Sequence, residues 1–259
     1  MLLAVLLWIF TVVSCLAFAA KRWWFPGAIS AHAQAYDQQL GLTLWVCGAI
    51  FVAAQLLLGW AVYRYRNRGQ SVRFTRGSNR LEFAWTTATA VVFLGLMFSG
   101  FGIWAKLHFA RPPAGALRVE VMAKQFAWSY RYPGPDGKFG RTDVRLVNDA
   151  AGNPFGLDEQ DPAAKDDIVA SALRVPERTP VVLTLLARDV IHNFFVRELR
   201  LKQDVVPGMA IPLAFQADRP GKYEVACSEL CGLGHHQMRS LMEVMTRDAF
   251  DEWLREQAR

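Results

Sequence analysis

The sequence predicts a membrane-anchored all-β protein: two or three N-terminal transmembrane helices followed by a β-sandwich outside the membrane. Three observations carry that expectation. Long apolar stretches are confined to the first 104 of 259 residues. Arginines crowd the short connection between two of those stretches. Beyond about residue 116 the pattern changes to short alternating runs separated by Gly and Pro.

Residues 2–20 carry no charge, residues 42–63 run from Leu42 to Tyr63, and residues 85–104 run from Trp85 to Trp104. Each is close to the roughly 20 residues an α-helix needs to cross a bilayer. Trp45, Trp60, Tyr63, Trp85 and Trp104 sit near the ends of the second and third stretches, where interfacial aromatics belong. The first stretch reads either as a third anchor or as a signal sequence, although it lacks the basic segment expected of the latter. The triplet Val12-Val13-Ser14 before Cys15 faintly resembles a lipoprotein cleavage site.

The formal net charge is +6, yet its distribution argues against a nucleic-acid partner. Before residue 105 stand 8 of the 29 basic and only 2 of the 23 acidic residues, so the rest of the chain is balanced. Arg64, Arg66, Arg68, Arg73, Arg76 and Arg80 crowd the loop between the second and third stretches. Short Arg-rich loops face the cytoplasm, which places everything after about residue 105 outside. The basic excess is a topology signal rather than a DNA footprint.

In the exported part the expected strands are 118–123, 126–132, 181–187, 212–217, 222–226 and 241–245. Breakers punctuate them at Pro133-Gly134, Pro207-Gly208 and Pro220-Gly221. Residues 133–175 form an unusually long connection containing Asp158, Glu159, Asp161, Asp166 and Asp167. Loops this long are often functional. The carboxylates suit a basic partner, a divalent cation or a plain solvated excursion. Phe250, Trp253 and Leu254 at helical spacing predict a closing helix over 247–257.

Cys15 and Cys47 lie in apolar helices, where a small thiol packs as a hydrophobe. Cys227 and Cys231 lie in the exported domain, where paired thiols usually oxidise to a disulfide. Their neighbours point elsewhere. The run reads Cys227-Ser-Glu229-Leu-Cys231-Gly-Leu-Gly-His235-His-Gln-Met238, and His192 lies upstream in Asp189-Val-Ile-His192. Thiolate, imidazole and thioether together favour copper that shuttles between two oxidation states. A structural zinc site has no use for the thioether, and a mononuclear blue-copper site needs one Cys and two His. Two bridging thiolates can instead hold two copper ions, with one His for each. His236 reads as a neighbour of the ligand His235, and His32 and His108 flank membrane helices without assigned chemistry.

The sequence resembles subunit II of haem-copper cytochrome c oxidases. That family carries its binuclear copper centre, CuA, on Cys-Ser-Glu-x-Cys-Gly-x-x-His-x-x-Met, matched from Cys227 to Met238 without a gap. Its Asp-Val-x-His is matched by Asp189–His192, its Lys-x-Asp-x-x-Pro-Gly by Lys202–Gly208, and its Leu-Glu-x-x-Trp-Thr by Leu81–Thr86. The resemblance implies a transmembrane region over residues 1–110 and a periplasmic cupredoxin-like Greek-key sandwich over 111–259. It implies copper ligands His192, Cys227, Cys231, His235 and Met238, plus the backbone carbonyl of Glu229. The Glu229 carboxylate would help hold Mg at the interface with subunit I. Glu82 would mark the mouth of a proton-uptake route; the plain alternative is an interfacial carboxylate paired to Arg76 or Arg80.

The resemblance further implies an electron-inlet subunit of a respiratory terminal oxidase in the bacterial plasma membrane. It would accept electrons from a periplasmic cytochrome c and pass them to haem in subunit I, where O2 is reduced to water with proton translocation. Subunit III is a further expected partner. The alternatives are the CuA subunit of a nitric oxide reductase, with the same module, and a periplasmic copper-delivery protein. A quinol oxidase subunit II is excluded because it lacks the copper ligands. Two positions depart from the family pattern. Phe126 replaces the first Trp of Gln-Trp-x-Trp, so the expected relay runs near Phe126 and Trp128 with a poorer group at its mouth. Thr89 replaces a Pro and is expected to remove a helix kink.

Overall fold

The computed structural model describes residues 1–21, 24–69, 71, 74, 76–109 and 113–257. The chain divides into two compact units, Met1–Phe25 with Tyr36–Gly102, and Pro26–Ala35 with Ile103–Arg259. Arg22 and Arg73 of the basic set, and the expected 110/111 boundary, lie outside the described residues.

Among the described residues, three helices are long and apolar enough to cross a membrane: α1 (Leu2–Ala19), α2 (Ala31–Arg64) and α3 (Asn79–Phe109). α2 and α3 extend beyond the apolar stretches because serine caps, not hydrophobicity, set where they begin. Ser30 Oγ accepts from the Ala33 N–H at 3.0 Å and Ser78 Oγ from the Leu81 N–H at 3.4 Å. In the first unit α1 lies close on α2, with the Trp8 indole directly over Gly59. A Cβ at Gly59 would stand 2.8 Å from Trp8 Cδ1, so only glycine admits the ring. α3 runs unbroken through Thr89, whose Oγ1 donates to the Trp85 carbonyl at 2.8 Å.

The second unit is a sandwich of two five-stranded sheets, the membrane-anchored all-β class that the sequence predicts. One sheet orders β3 (Ile168–Ala170), β2 (Ala127–Tyr132), β1 (Leu117–Lys124), β5 (Pro180–Ala187) and β8 (Ile211–Gln216). The other orders β4 (Leu173–Pro176), β10 (Arg239–Met245), β9 (Gly221–Cys227), β6 (His192–Val196) and β7 (Leu201–Val205). β1 pairs parallel with β5, and β4 with β10; the other pairings are antiparallel. Alternate residues such as Val119, Val121 and Ala123 of β1 and Val181, Leu183 and Leu185 of β5 face one core. α5 (Arg247–Gln257) adds Phe250 and Trp253 to that core.

Four strands escape the sequence reading, each for a local reason. β3 and β4 have 3 and 4 residues, too few to display an alternation. β7 buries only its ends, Leu201 and Val205, around a polar centre. β6 begins with His192 and Asn193, both buried, so polar letters hide a core strand.

The connection 133–175 is accordingly not structureless. It contains a 3-10 turn (Val144–Leu146), the short helix α4 (Pro162–Lys165), β3 and the start of β4. Most of its carboxylates are engaged within the protein, while Glu159 is exposed. Asp161 caps α4 through the Ala163 N–H at 3.3 Å, and Asp158 pairs with Arg141 at 3.1 Å. The buried Arg131 of β2 pairs with Asp167 and, at 2.8 Å, with Glu120. At the far tip Asp149 takes Lys124 Nζ at 2.6 Å and Arg188 Nη2 at 2.7 Å. That last pairing delivers the tip to the end of the sandwich where β1 and β5 stop.

Candidate metal centre

The loop from Cys227 to Met238 bridges β9 and β10 and closes on itself: the Cys227 N–H donates to the Met238 carbonyl at 3.1 Å. Cys227 is the last residue of β9 rather than a loop residue, and His192 is the first of the adjacent strand β6. The expected strand 222–226 thus runs one residue further, because Phe194 pairs across to Cys227, and His192 opens a strand that the sequence reading did not include. A short 3-10 turn, His235–Gln237, carries the second histidine and leaves Met238 buried at its end. His236 on the same turn is exposed and contacts none of the thiols among the described residues.

The donor atoms converge. The Sγ atoms of Cys227 and Cys231 lie 3.8 Å apart, far beyond a disulfide length, and both thiols are free. His192 Nδ1 is 3.9 Å from Cys227 Sγ, and these two with Cys231 lie within 4.8 Å of one another. His235 Nδ1 and Met238 Sδ each stand 3.7 Å from Cys231 Sγ. The Glu229 carbonyl oxygen is 3.2 Å from Cys227 Sγ, while the Glu229 side chain is exposed. Burial, reinforced by the neighbouring Cys227, pushes the Cys231 thiol up to about 11. A thiol ligates metal as its thiolate, and a bound cation supplies the charge that burial of Cys231 otherwise opposes. The donor set of two thiols, two imidazoles, a thioether and a carbonyl therefore fits soft metal, and copper above others.

A second layer fixes the donors. His192 Nε2 meets Asp189 Oδ1 at 2.8 Å. A carboxylate only accepts, so Nε2 carries the proton and Nδ1 keeps its lone pair for metal. Burial opposes the charge of Asp189, but hydrogen bonds from the N–H groups of Gln125, His192 and Val190 outweigh it and hold the carboxyl below its ordinary range. Asn193 accepts from Ser228 Oγ at 2.6 Å and from the Ser228 N–H through its carbonyl at 3.1 Å, pinning the Cys227 end of the loop to β6. The buried Trp128 of β2 presents its indole to the His192 ring with centroids 6.2 Å apart. Phe126, 38% exposed, lies against the loop, with its Cζ 3.1 Å from where a Cβ of Gly232 would be.

Residues 117–245 match the family described as cytochrome C oxidase subunit II, periplasmic domain. The alternative cytochrome c oxidase subunit 2 of Bradyrhizobium diazoefficiens is 34% identical over 99% of this chain and 92% of its own. The chain belongs to the cytochrome c oxidase subunit II family. A second relative in that family, cytochrome c oxidase subunit 2 of Cereibacter sphaeroides, is 30% identical over 85% of this chain and 74% of its own. The crystal structure of the periplasmic domain of subunit II of cytochrome oxidase from Bradyrhizobium japonicum covers 57% of this chain and 96% of its own, at 26% identity and a TM-score of 0.42. Family membership makes the chain a subunit of an oxidoreductase, a haem-copper oxidase complex of several subunits. Its apolar helices and periplasmic domain make it membrane-anchored.

All six donors expected from the sequence thus stand in one group. Glu82 does not belong to it: it lies in the first turn of α3, exposed, and among the described residues neither Arg76 nor Arg80 pairs with it. The sequence reading missed Gln125, Asn193 and Ser228. The one available signal was the i, i+3 spacing of Asp189 and His192, which brings a carboxylate within reach of the far ring nitrogen.

Proposed function

We propose that this chain is the electron inlet of its oxidase, holding two copper ions between the thiolates of Cys227 and Cys231. His192, His235, Met238 and the Glu229 carbonyl complete the ligand set. The observation that carries this reading is the pair of unjoined buried thiols, 3.8 Å apart and ringed by two imidazoles, a thioether and a carbonyl. When bound there, the copper pair supplies one-electron acceptance and release. The protein's own contribution is to hold the donors still. Cys227 and His192 stand on neighbouring strands, so that side of the cage is built on rigid sheet, while the loop carries the other donors.

In this reading electrons arrive from a periplasmic cytochrome c at Phe126, whose half-exposed ring rests on the ligand loop, with Trp128 behind it against His192. They leave to haem in subunit I, where O2 is reduced to water with proton translocation. The exposed Glu229 carboxylate is free to share a Mg with subunit I, and Glu82 opens a proton-uptake route. Residues 1–110 form the membrane region and 111–259 the domain outside the bacterial plasma membrane, with subunit III as a further neighbour.

The test is to purify the full chain with copper and record absorption and EPR spectra. A mixed-valence two-copper signal that disappears in Cys227→Ser supports the reading. A one-copper blue spectrum, or stoichiometric zinc in the native protein, overturns it.

A further inference from the structure

We propose that Gln125 is a positioning residue that locks the two ligand-bearing segments to each other and so sets the shape of the copper cage. This rests on the copper reading above. Gln125 follows the last residue of β1 and is tied in two directions. Its backbone N–H donates to Asp189 Oδ2 at 2.7 Å, and the other oxygen of that carboxylate holds His192 Nε2 at 2.8 Å. Its side-chain Nε2 donates to the Cys231 carbonyl at 2.5 Å. One residue is thereby joined to the histidine of β6 through a carboxylate and to the second thiol through an amide.

The two arms of the ligand loop differ in what secures them. The Cys227 arm is anchored to β6 by the ladder and by both Ser228–Asn193 hydrogen bonds. The arm carrying Cys231 and His235 is otherwise bonded only within the loop, through turns such as His235 N–H to the Gly232 carbonyl at 3.1 Å. Apart from the thiol–thiol contact of Cys231 with Cys227 at the end of β9, the Gln125 amide makes the one hydrogen bond among the described residues that ties residues 230–237 to a different element. Gly232 leaves room for it. Its φ of +135° suits glycine, and a Cβ there would stand 2.8 Å from Gln125 Nε2. Outer residues that orient metal ligands change affinity and electronic structure together. Removing the amide should free Cys231 and His235 while His192 and Cys227 stay in place.

The experiment compares the copper-loaded full chain with Gln125→Ala and Gln125→Glu. Glutamate keeps the length of the side chain and its packing but removes the N–H donor. We expect both variants to bind copper, with an altered EPR hyperfine pattern and roughly tenfold faster copper release to a chelator. If both match wild type in pattern and release, Gln125 positions nothing. If only the alanine variant changes, bulk rather than the hydrogen bond matters, and the inference falls. Absence of a two-copper signal in wild type itself instead overturns the copper reading, so the two failures are distinct.

Discussion

His192 Nε2–H donates a hydrogen bond to Asp189 Oδ1 across 2.8 Å, which turns the other ring nitrogen toward Cys227. The ring is fully buried, and the carboxylate on Nε2 leaves Nδ1 as the nitrogen facing Cys227. Asp189→Ala should therefore weaken copper binding by about 10- to 100-fold. Competition titration against a chelator measures it. An unchanged affinity would show that the ring is oriented by packing against Trp128 instead.

The ring of Phe126 lies so close to Gly234 that a methyl group there would stand 2.6 Å from Phe126 Cγ. Gly234→Ala must push the aromatic ring off the ligand loop, while its backbone can keep its conformation. The expected outcome is slower electron uptake from a cytochrome c donor with the copper absorption spectrum retained. Stopped-flow reduction of wild type and variant decides it. Equal rates would move the inlet away from Phe126.

The donor residues were legible because metal ligation depends on residue type and spacing, and both are written in one uninterrupted run from Cys227 to Met238. What surrounds them was not. β6 reads as polar because His192 and Asn193 are buried by bonding to Asp189, Asp204 and Ser228, partners distant in sequence or unremarkable in type. Gln125 is a single glutamine whose role appears only once β1 and the ligand loop meet. The acidic residues of 133–175 suggested an outward-facing cluster. Asp167 instead turns inward onto Arg131, Asp158 pairs with Arg141 at the surface, and Asp149 takes Lys124 and Arg188; such pairing leaves no periodic mark. The helix ends followed Ser30 and Ser78, which a reading of apolar stretches ignores. Ile29 was hidden in the same way: it lies between the first two apolar stretches, yet it joins the sandwich core and donates its N–H to the Glu198 carbonyl at 3.2 Å.

Arg131 stands at the root of the long connection with its side chain 2% exposed, between Glu120 and a fully buried Asp167. It also donates to the Gly140 carbonyl at 2.6 Å, so one guanidinium holds the loop to β2. Truncating it leaves the Asp167 charge buried without its cation, held only by the Gly140 N–H at 3.0 Å, a defect that costs about 3–5 kcal/mol. Arg131→Ala should lower unfolding stability by about that amount. Arg131→Ala with Asp167→Asn should recover part of it, because the stranded charge is gone. Chemical denaturation of the two variants tests this, and equal losses would mean that packing, not the pair, holds the loop.

Asp149 anchors the loop tip beside the copper end, and its pH dependence follows from its two cations. Arg188 first, then Lys124, hold its carboxyl at about 2 in the folded protein. An unfolded or released aspartate titrates near 4. The depressed value means that the anchored state binds fewer protons, so anchoring is fully present above about pH 4 and fades as the pH falls toward 2. Asp149 is 39% exposed, so solvent screens the pair and the effect stays local. Hydrogen exchange in residues 148–153 should accordingly speed up between about pH 4 and 2, beyond the intrinsic trend of the unfolded peptide. Asp149→Asn should show the same loosening at pH 7 and no further change on acidification. Exchange that is equally slow in the variant at pH 7 would assign the anchor to the Asn148–Asn153 backbone pair, whose two hydrogen bonds of 2.9 Å close the tip.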